Sequence, residues 1–199
     1  MSSKAERTTA YIIETVSPIF NRQGYVGTSL SDLTEATGLT KGAIYGNFEN
    51  KGRIALQAYQ HNSQRLLRAL QEIMGDTRED VGEILLQITA FYRDYDLFTK
   101  DMGGCPIINT GIDALYNHRG LTQAVSETIK TIESDIAALV DRGVKSGKLK
   151  LTVAPIIFAR QFFTIIQGAV SMSTLMQDRK YLVNTMNYLD LQLQRELFR

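Results

Sequence analysis

A chain of 199 residues with a formal net charge of +1 has room for one large domain or for a small module joined to a larger one. Its 44% hydrophobic and 22% charged residues lie near the average for soluble globular proteins, which excludes a disordered or low-complexity chain, and composition alone does not point to a nucleic-acid binder. One cysteine, Cys105, excludes an intramolecular disulfide, and His61 and His118 alone do not make a metal cluster, so no metal and no cofactor is expected.

The first residues, Met1 to Arg7, lead into a patterned helix with neither an apolar signal core nor a small-residue cleavage site, and the expected location is the cytoplasm. Ile12, Ile13, Val16, Ile19 and Phe20 recur at helical spacing and stop before Gly24, a residue suited to the left-handed end of a helix. Ser29, three residues before Asp32, opens a second, very short helix that ends at Gly38. Thr40 caps a third piece, Lys41 to Phe48, and Asn50 caps a fourth helix that starts at Lys51. Leu66, Leu67, Leu70, Ile73 and Met74 close that helix, and Val81, Ile84, Leu85, Ile88, Phe91, Tyr92 and Tyr95 mark a fifth. Thr99 to Pro106 reads as a loop, followed by a short sixth helix from Ile107 to Tyr116. Val125, Ile129, Ile132, Ile136, Leu139, Val140 and Val144 form a long seventh helix that stops near Gly147, with Lys145 and Lys148 at its negative end.

The eighth helix breaks the amphipathic pattern. Ile156, Ile157, Phe158, Phe162, Phe163, Ile165, Ile166, Ala169 and Val170 leave almost no polar face, so it must be covered on two sides. Pro155, Arg160, Gln161 and Gln167 interrupt the run, which falls short of a bilayer-spanning segment, and no membrane is expected as a partner. A ninth helix carries Leu182, Met186, Leu189, Leu193 and Leu197 on one stripe. These two C-terminal helices hold more apolar surface than one subunit hides, which predicts a homodimer built on them; the alternative makes the eighth helix the centre of a monomer core. The expected fold is all-α, with about nine helices.

The short helices between Gly24 and Lys51 carry the function. Two short helices joined by a glycine turn, one presenting its N-terminal end, are the parts of a helix-turn-helix. Ala36 is small enough to let the two helices approach, Gly38 permits the left-handed turn, and Leu33, Leu39, Ile44 and Phe48 make a small core. Lys41, Gly42 and Ala43 open the recognition helix where its backbone must approach base edges in a major groove. Lys41 suits either a guanine edge or a phosphate. Thr28, Ser29, Thr40, Tyr45, Asn47 and Lys51 supply hydroxyl, amide or cationic groups for phosphates, although the first three serve equally as helix caps and Tyr45 as a core aromatic. Gly46 weakens the third helix by about 1 kcal/mol relative to alanine.

The stretch from Gly24-Tyr25 through Ala36, Gly38-Leu39-Thr40, Lys41-Gly42, Tyr45, Phe48 and Lys51 closely resembles the TetR family of bacterial transcriptional regulators. Gly46 and Asn47 depart from the aromatic or histidine that many relatives carry there. The resemblance implies an N-terminal three-helix DNA-binding domain, residues 1–53, and a helical effector-binding and dimerisation domain, residues 54–199. It also implies a regulator, usually a repressor, that releases double-stranded operator DNA when an effector binds among its C-terminal helices; the two-fold symmetry of a dimer makes the operator roughly palindromic, and the soft aromatic residues named next make the effector small and largely apolar.

The expected effector pool is Tyr92, Tyr95, Phe98, Tyr116, Phe162, Phe163 and Met172, with Asn109 and Gln167 as polar anchors; each is read equally as plain packing. Cys105, between Gly104 and Pro106, resembles a glycine-cysteine stretch of some family members and is either a thiol sensor or a small hydrophobe. No phosphate-binding glycine loop, histidine pair or nucleophile arrangement points to an enzyme. The competing readings are a small-molecule-binding helical enzyme and a protein-interaction module.

Overall fold

The computed structural model describes residues 3–75 and 80–196. Among these residues there are ten helices and no strand: α1 (Lys4–Gly27), α2 (Leu30–Thr37), α3 (Lys41–Tyr45), α4 (Lys51–Met74), α5 (Val81–Arg93), α6 (Tyr95–Phe98), α7 (Pro106–Ala114), α8 (Arg119–Lys145), α9 (Pro155–Met176) and α10 (Lys180–Glu196). They belong to two compact units, one of residues 1–66 and 99–128, the other of residues 67–98 and 129–199.

In the first unit, α1 starts with a reciprocal cap: Ser3 Oγ accepts the Glu6 N–H and the Glu6 carboxylate accepts the Ser3 N–H. Ile12, Ile13, Val16 and Phe20 are buried, the stripe expected from their spacing. The helix does not stop at Gly24. The backbone breaks there, at φ 77°, and resumes to Gly27. α7 begins at Pro106, where a missing N–H costs nothing, and ends at Ala114, so it is shifted towards the N-terminus of its predicted span. The expected loop before it holds a tight turn in which the Met102 and Gly104 N–H groups both donate to the Thr99 carbonyl. Asn21 fastens this turn to α1 by donating to the Met102 and Gly104 carbonyls, each at 2.8 Å.

In the second unit, the expected fifth helix is two helices. Asp94 leaves helical geometry (φ −111°, ψ 20°) and its N–H closes α5 on the Phe91 and Tyr92 carbonyls, so Tyr95 starts the extra helix α6. The apolar period runs across the break because Tyr92 and Tyr95 are both buried. α9 starts at Pro155 and buries Ala159, Phe162, Phe163, Ile166, Ala169 and Val170. By length and composition it is long and apolar enough to cross a membrane, yet these six side chains form the core of this unit. Burying each phenylalanine stabilises the unit by about 2–3 kcal/mol. α10 packs on both α5 and α9 through Leu182, Met186, Leu189 and Leu193; Leu197 lies outside the described residues. Asp190 of α10 accepts hydrogen bonds from Thr89 Oγ1 and, at 2.5 Å, from Arg93 Nη2, which fixes α10 on α5.

Candidate nucleic-acid interface

The α2–α3 pair is held by local chemistry before any tertiary contact is counted. Ser29 Oγ accepts the Asp32 N–H at 3.2 Å, and the Asp32 carboxylate accepts the Ser29 N–H at 2.6 Å. The Ser29 N–H first, and the Ser29 hydroxyl beside the carboxylate second, hold the Asp32 carboxyl below the ordinary carboxylate range. Gly38 ends α2 in the left-handed region at φ 67°. Thr40 Oγ1 then accepts the Ala43 N–H and caps α3.

Leu33, Ile44 and Phe48 are buried beneath the turn and Leu39 is half-buried, as the sequence indicated. Ala36 is exposed, so it does not mediate the close approach expected of it. Thr37 does the work at the turn instead: it is buried, donates its hydroxyl to the Leu33 carbonyl at 2.7 Å and accepts the Leu39 N–H. From α1, Tyr11 donates its hydroxyl to the Thr37 carbonyl at 3.0 Å. The recognition helix ends at Tyr45, three residues short of its expected end, and Gly46 stands at the C-cap outside the helical body. Its backbone is still right-handed helical (φ −71°, ψ −19°) and its N–H donates to the Gly42 carbonyl, so the cost of ordering a glycine remains, now at the end of the helix.

The structure brings Lys41, Gly42, Ala43 and Tyr45 together as exposed residues of one short helix. Ser29 and Thr40 are exposed caps at the starts of α2 and α3. Lys51 is half-buried at the start of α4, its ammonium 4.7 Å from the centroid of the Tyr25 ring. Two expected contacts are placed differently. Thr28 is fully buried and donates its hydroxyl to the Gly24 carbonyl at 2.7 Å, so its side chain is absent from the exposed face. Asn47 is engaged at both ends of its amide, donating to the Ala43 carbonyl at 2.8 Å and accepting from Thr9 Oγ1 at 3.3 Å, which ties the exit of α3 to α1.

The effector candidates divide between the two units. In the second, Tyr92, Tyr95, Phe98 and Phe163 surround Phe91 or one another, with Tyr92 and Tyr95 ring centroids 4.8 Å apart. Phe162 is buried and stacks on Phe158, Gln167 is half-buried, and Met172 is exposed on the outer side of α9. In the first unit, Cys105 is buried and Tyr116 is 91% exposed, too open to line a closed pocket. Asn109 uses its amide nitrogen on the Asn21 and Gly103 carbonyls, a fastening of the turn.

On the far side of α9, Ile157, Ile165, Met172, Leu175 and Met176 remain exposed, with Gly168 among them having nothing within 4 Å of the place a Cβ would take. α10 adds exposed Tyr181, Tyr188 and Leu191. Both sets follow helical spacing, so each helix has an outer apolar stripe besides its buried one.

Residues 12–58 match the family model for bacterial regulatory proteins of the tetR family, and residues 84–189 match that for the tetracyclin repressor-like C-terminal domain. A TetR-family transcriptional regulator from Cytophaga hutchinsonii has a crystal structure similar to this one at a TM-score of 0.92 and 31% identity, covering 100% of this chain and 99% of that one. A TetR regulator from Chloroflexus aurantiacus is similar at a TM-score of 0.89 and 26% identity, covering 98% of both chains. The probable HTH-type transcriptional regulator ArpR of Pseudomonas putida is 25% identical over 88% of this chain and 84% of its own length. With a capped helix-turn-helix at one end and a matching helical C-terminal domain at the other, the chain belongs to the TetR family of bacterial regulatory proteins and is a DNA-binding transcriptional regulator.

Proposed function

We propose that the protein is a cytoplasmic repressor that binds a roughly palindromic operator as a homodimer. The carrying observation is the exposure of Lys41, Gly42 and Ala43 at the capped start of α3, over the buried Leu33, Ile44 and Phe48. Small side chains there let the helix backbone enter a major groove, and Lys41 reaches either a base edge or a phosphate. Ser29, Thr40, Tyr45 and Lys51 flank that start and contact the DNA backbone. Residues 1–53 act as the DNA-binding domain and residues 54–199 as the effector-binding and dimerisation domain.

The outer stripes of α9 and α10 pair across a two-fold axis, and two-fold symmetry implies an operator whose two half-sites lie about one helical turn or slightly more apart. A small apolar effector separates the rings of the Tyr92, Tyr95 and Phe163 cluster and is bound without turnover. Release follows because effector and DNA favour different arrangements of the dimer.

The test is a mobility-shift assay on the region upstream of the protein's own gene and on fragments selected from its source genome. The parent protein shifts at least one of these duplexes, whereas Lys41→Ala and Tyr45→Ala lose the shift while remaining folded dimers by circular dichroism and sedimentation. Unchanged affinity in both variants defeats the reading.

A further inference from the structure

We infer that Asp113 of α7 is a positioning residue for operator recognition, acting through the break in α1 without touching DNA. Asp113 Oδ2 accepts the Tyr25 N–H at 2.6 Å, immediately after the break. Gly24 leaves room for this carboxylate: a Cβ built there would lie 2.7 Å from both Asp113 Cγ and Oδ1, on a backbone already in the left-handed region. The Gly24 carbonyl in turn accepts the Thr28 N–H at 3.2 Å and the Thr28 hydroxyl at 2.7 Å. Thr28 directly precedes Ser29, whose side chain caps α2. A continuous series of bonds thus runs from the carboxylate to the first turn of the helix-turn-helix.

A second anchor comes from the same segment. Asn117 Nδ2 donates to the Asp113 carbonyl at 2.7 Å, and the His118 ring meets the Tyr25 ring edge-on with centroids 4.8 Å apart. The Tyr25 ring also lies under the Lys51 ammonium at the start of α4. Residues 113–118 therefore hold the chain on both sides of the α2–α3 pair. Hydrogen bonds to base edges are directional, so a small rotation of α2 and α3 removes them, whereas flexible cations keep their attraction to phosphate. Loss of the Asp113 bond should for that reason reduce discrimination more than general DNA affinity.

The inference rests on the DNA-reading role proposed above, and the experiment separates the two. Affinity is measured by fluorescence anisotropy for a duplex selected from a random pool by the parent protein and for a scrambled duplex of the same composition. Asp113→Ala is expected to lose about tenfold or more in the ratio of the two affinities, the size of a good base contact, while scrambled-duplex affinity and dimer mass stay constant. Asp113→Asn keeps an acceptor oxygen for the Tyr25 N–H and restores most of the ratio. An unchanged ratio in Asp113→Ala, equal weakening on both duplexes, or no rescue by Asp113→Asn overturns the inference. If Asp113→Ala does not fold, Asp113→Glu replaces it, its carboxylate displaced by one methylene; a parental ratio in that variant also overturns the inference. If the parent protein selects no duplex, the DNA-reading role itself has failed, and with it this inference; if Lys41→Ala loses the selected duplex and Asp113→Ala does not, the inference alone fails.

Discussion

His118 occupies the space that a side chain on Gly52 would need: its Nε2 lies 2.6 Å from the position of a Gly52 Cβ. His118 is fixed there because its Nδ1 accepts the Leu121 N–H at 3.1 Å and its ring packs on Tyr25. Alanine at position 52 should therefore destabilise the protein by about 1–3 kcal/mol through overpacking, against a helix-propensity gain of up to about 1 kcal/mol. In a His118→Ala background the same change should become neutral or stabilising. Denaturant unfolding of the four proteins checks this, and a Gly52→Ala effect of one sign in both backgrounds refutes it.

Salt dependence separates a phosphate contact from a base contact at Lys51 and Lys41. Lys51→Ala should weaken binding by a similar factor for every duplex and lower the slope of log affinity against log salt by about 1, the signature of one lost phosphate contact. Lys41→Ala should lower the slope equally if Lys41 holds a phosphate, and relax preference at one base pair if it reads a base edge. Salt titrations on selected and scrambled duplexes distinguish the outcomes. A Lys51→Ala variant with the parental slope would remove Lys51 from the contact set.

Tyr59 makes stability fall at alkaline pH. Burial pushes its phenol up to about 12 from the ordinary 10.0, partly offset by its hydrogen bond to Thr128 Oγ1 at 2.8 Å. The unfolded chain releases this proton near pH 10 while the folded chain keeps it until about pH 12. The contribution is therefore whole below pH 10 and disappears progressively up to about 12, an effect on the order of 2–3 kcal/mol. Tyr59→Phe should start about 1 kcal/mol less stable, having lost the hydrogen bond, and should show a flatter alkaline profile. Equal slopes in the two proteins would count against the assignment.

At the acid end the Ser29 and Asp32 cap gives the opposite sign. The folded pKa of Asp32 is lowered, so its contribution is present above the ordinary carboxylate pKa of 3.8 and is lost as pH falls through the lower folded value. Asp32→Asn should remove that part of the acid dependence. Guanidinium unfolding across the acid range provides the measurement, and an acid limb as steep in the variant as in the parent would exclude Asp32 as its source.

The homodimer proposed on α9 and α10 should become a monomer in Tyr188→Glu and in Leu191→Glu, because each puts a charge on the outer stripe of α10 without entering the buried one. Sedimentation gives the mass and circular dichroism the helix content. Dimers that persist in both variants would place the two-fold contact elsewhere.

The helix-turn-helix was legible in the sequence because its determinants are local. Ser29, Gly38 and Thr40 act within four residues of themselves, and the structure shows them as the expected caps and turn. The break between α5 and α6 was not legible, since Asp94 is no strong breaker and the apolar period runs unbroken from Tyr92 to Tyr95. Thr28 and Asn47 have the right chemistry for phosphate contacts, but only the fold reveals that Thr28 is buried and that the Asn47 amide is shared between Ala43 and Thr9. Ala36 was given a packing task by its size alone, and Thr37 performs it by hydrogen bonds. The links of Asn21 to Met102 and of Tyr25 to Asp113 join residues 81 and 88 positions apart, a separation at which helical periodicity carries no information.

α3 is only five residues long, hardly more than a single turn. A helix of that length does not persist by itself, so its shape is borrowed from Thr40 before it and from Ile44 and Phe48 beneath it. Face and foundation are consequently separate: Lys41, Gly42 and Ala43 lie open while Ile44 and Phe48 are buried, so the open three can be exchanged without disturbing what holds the helix in shape.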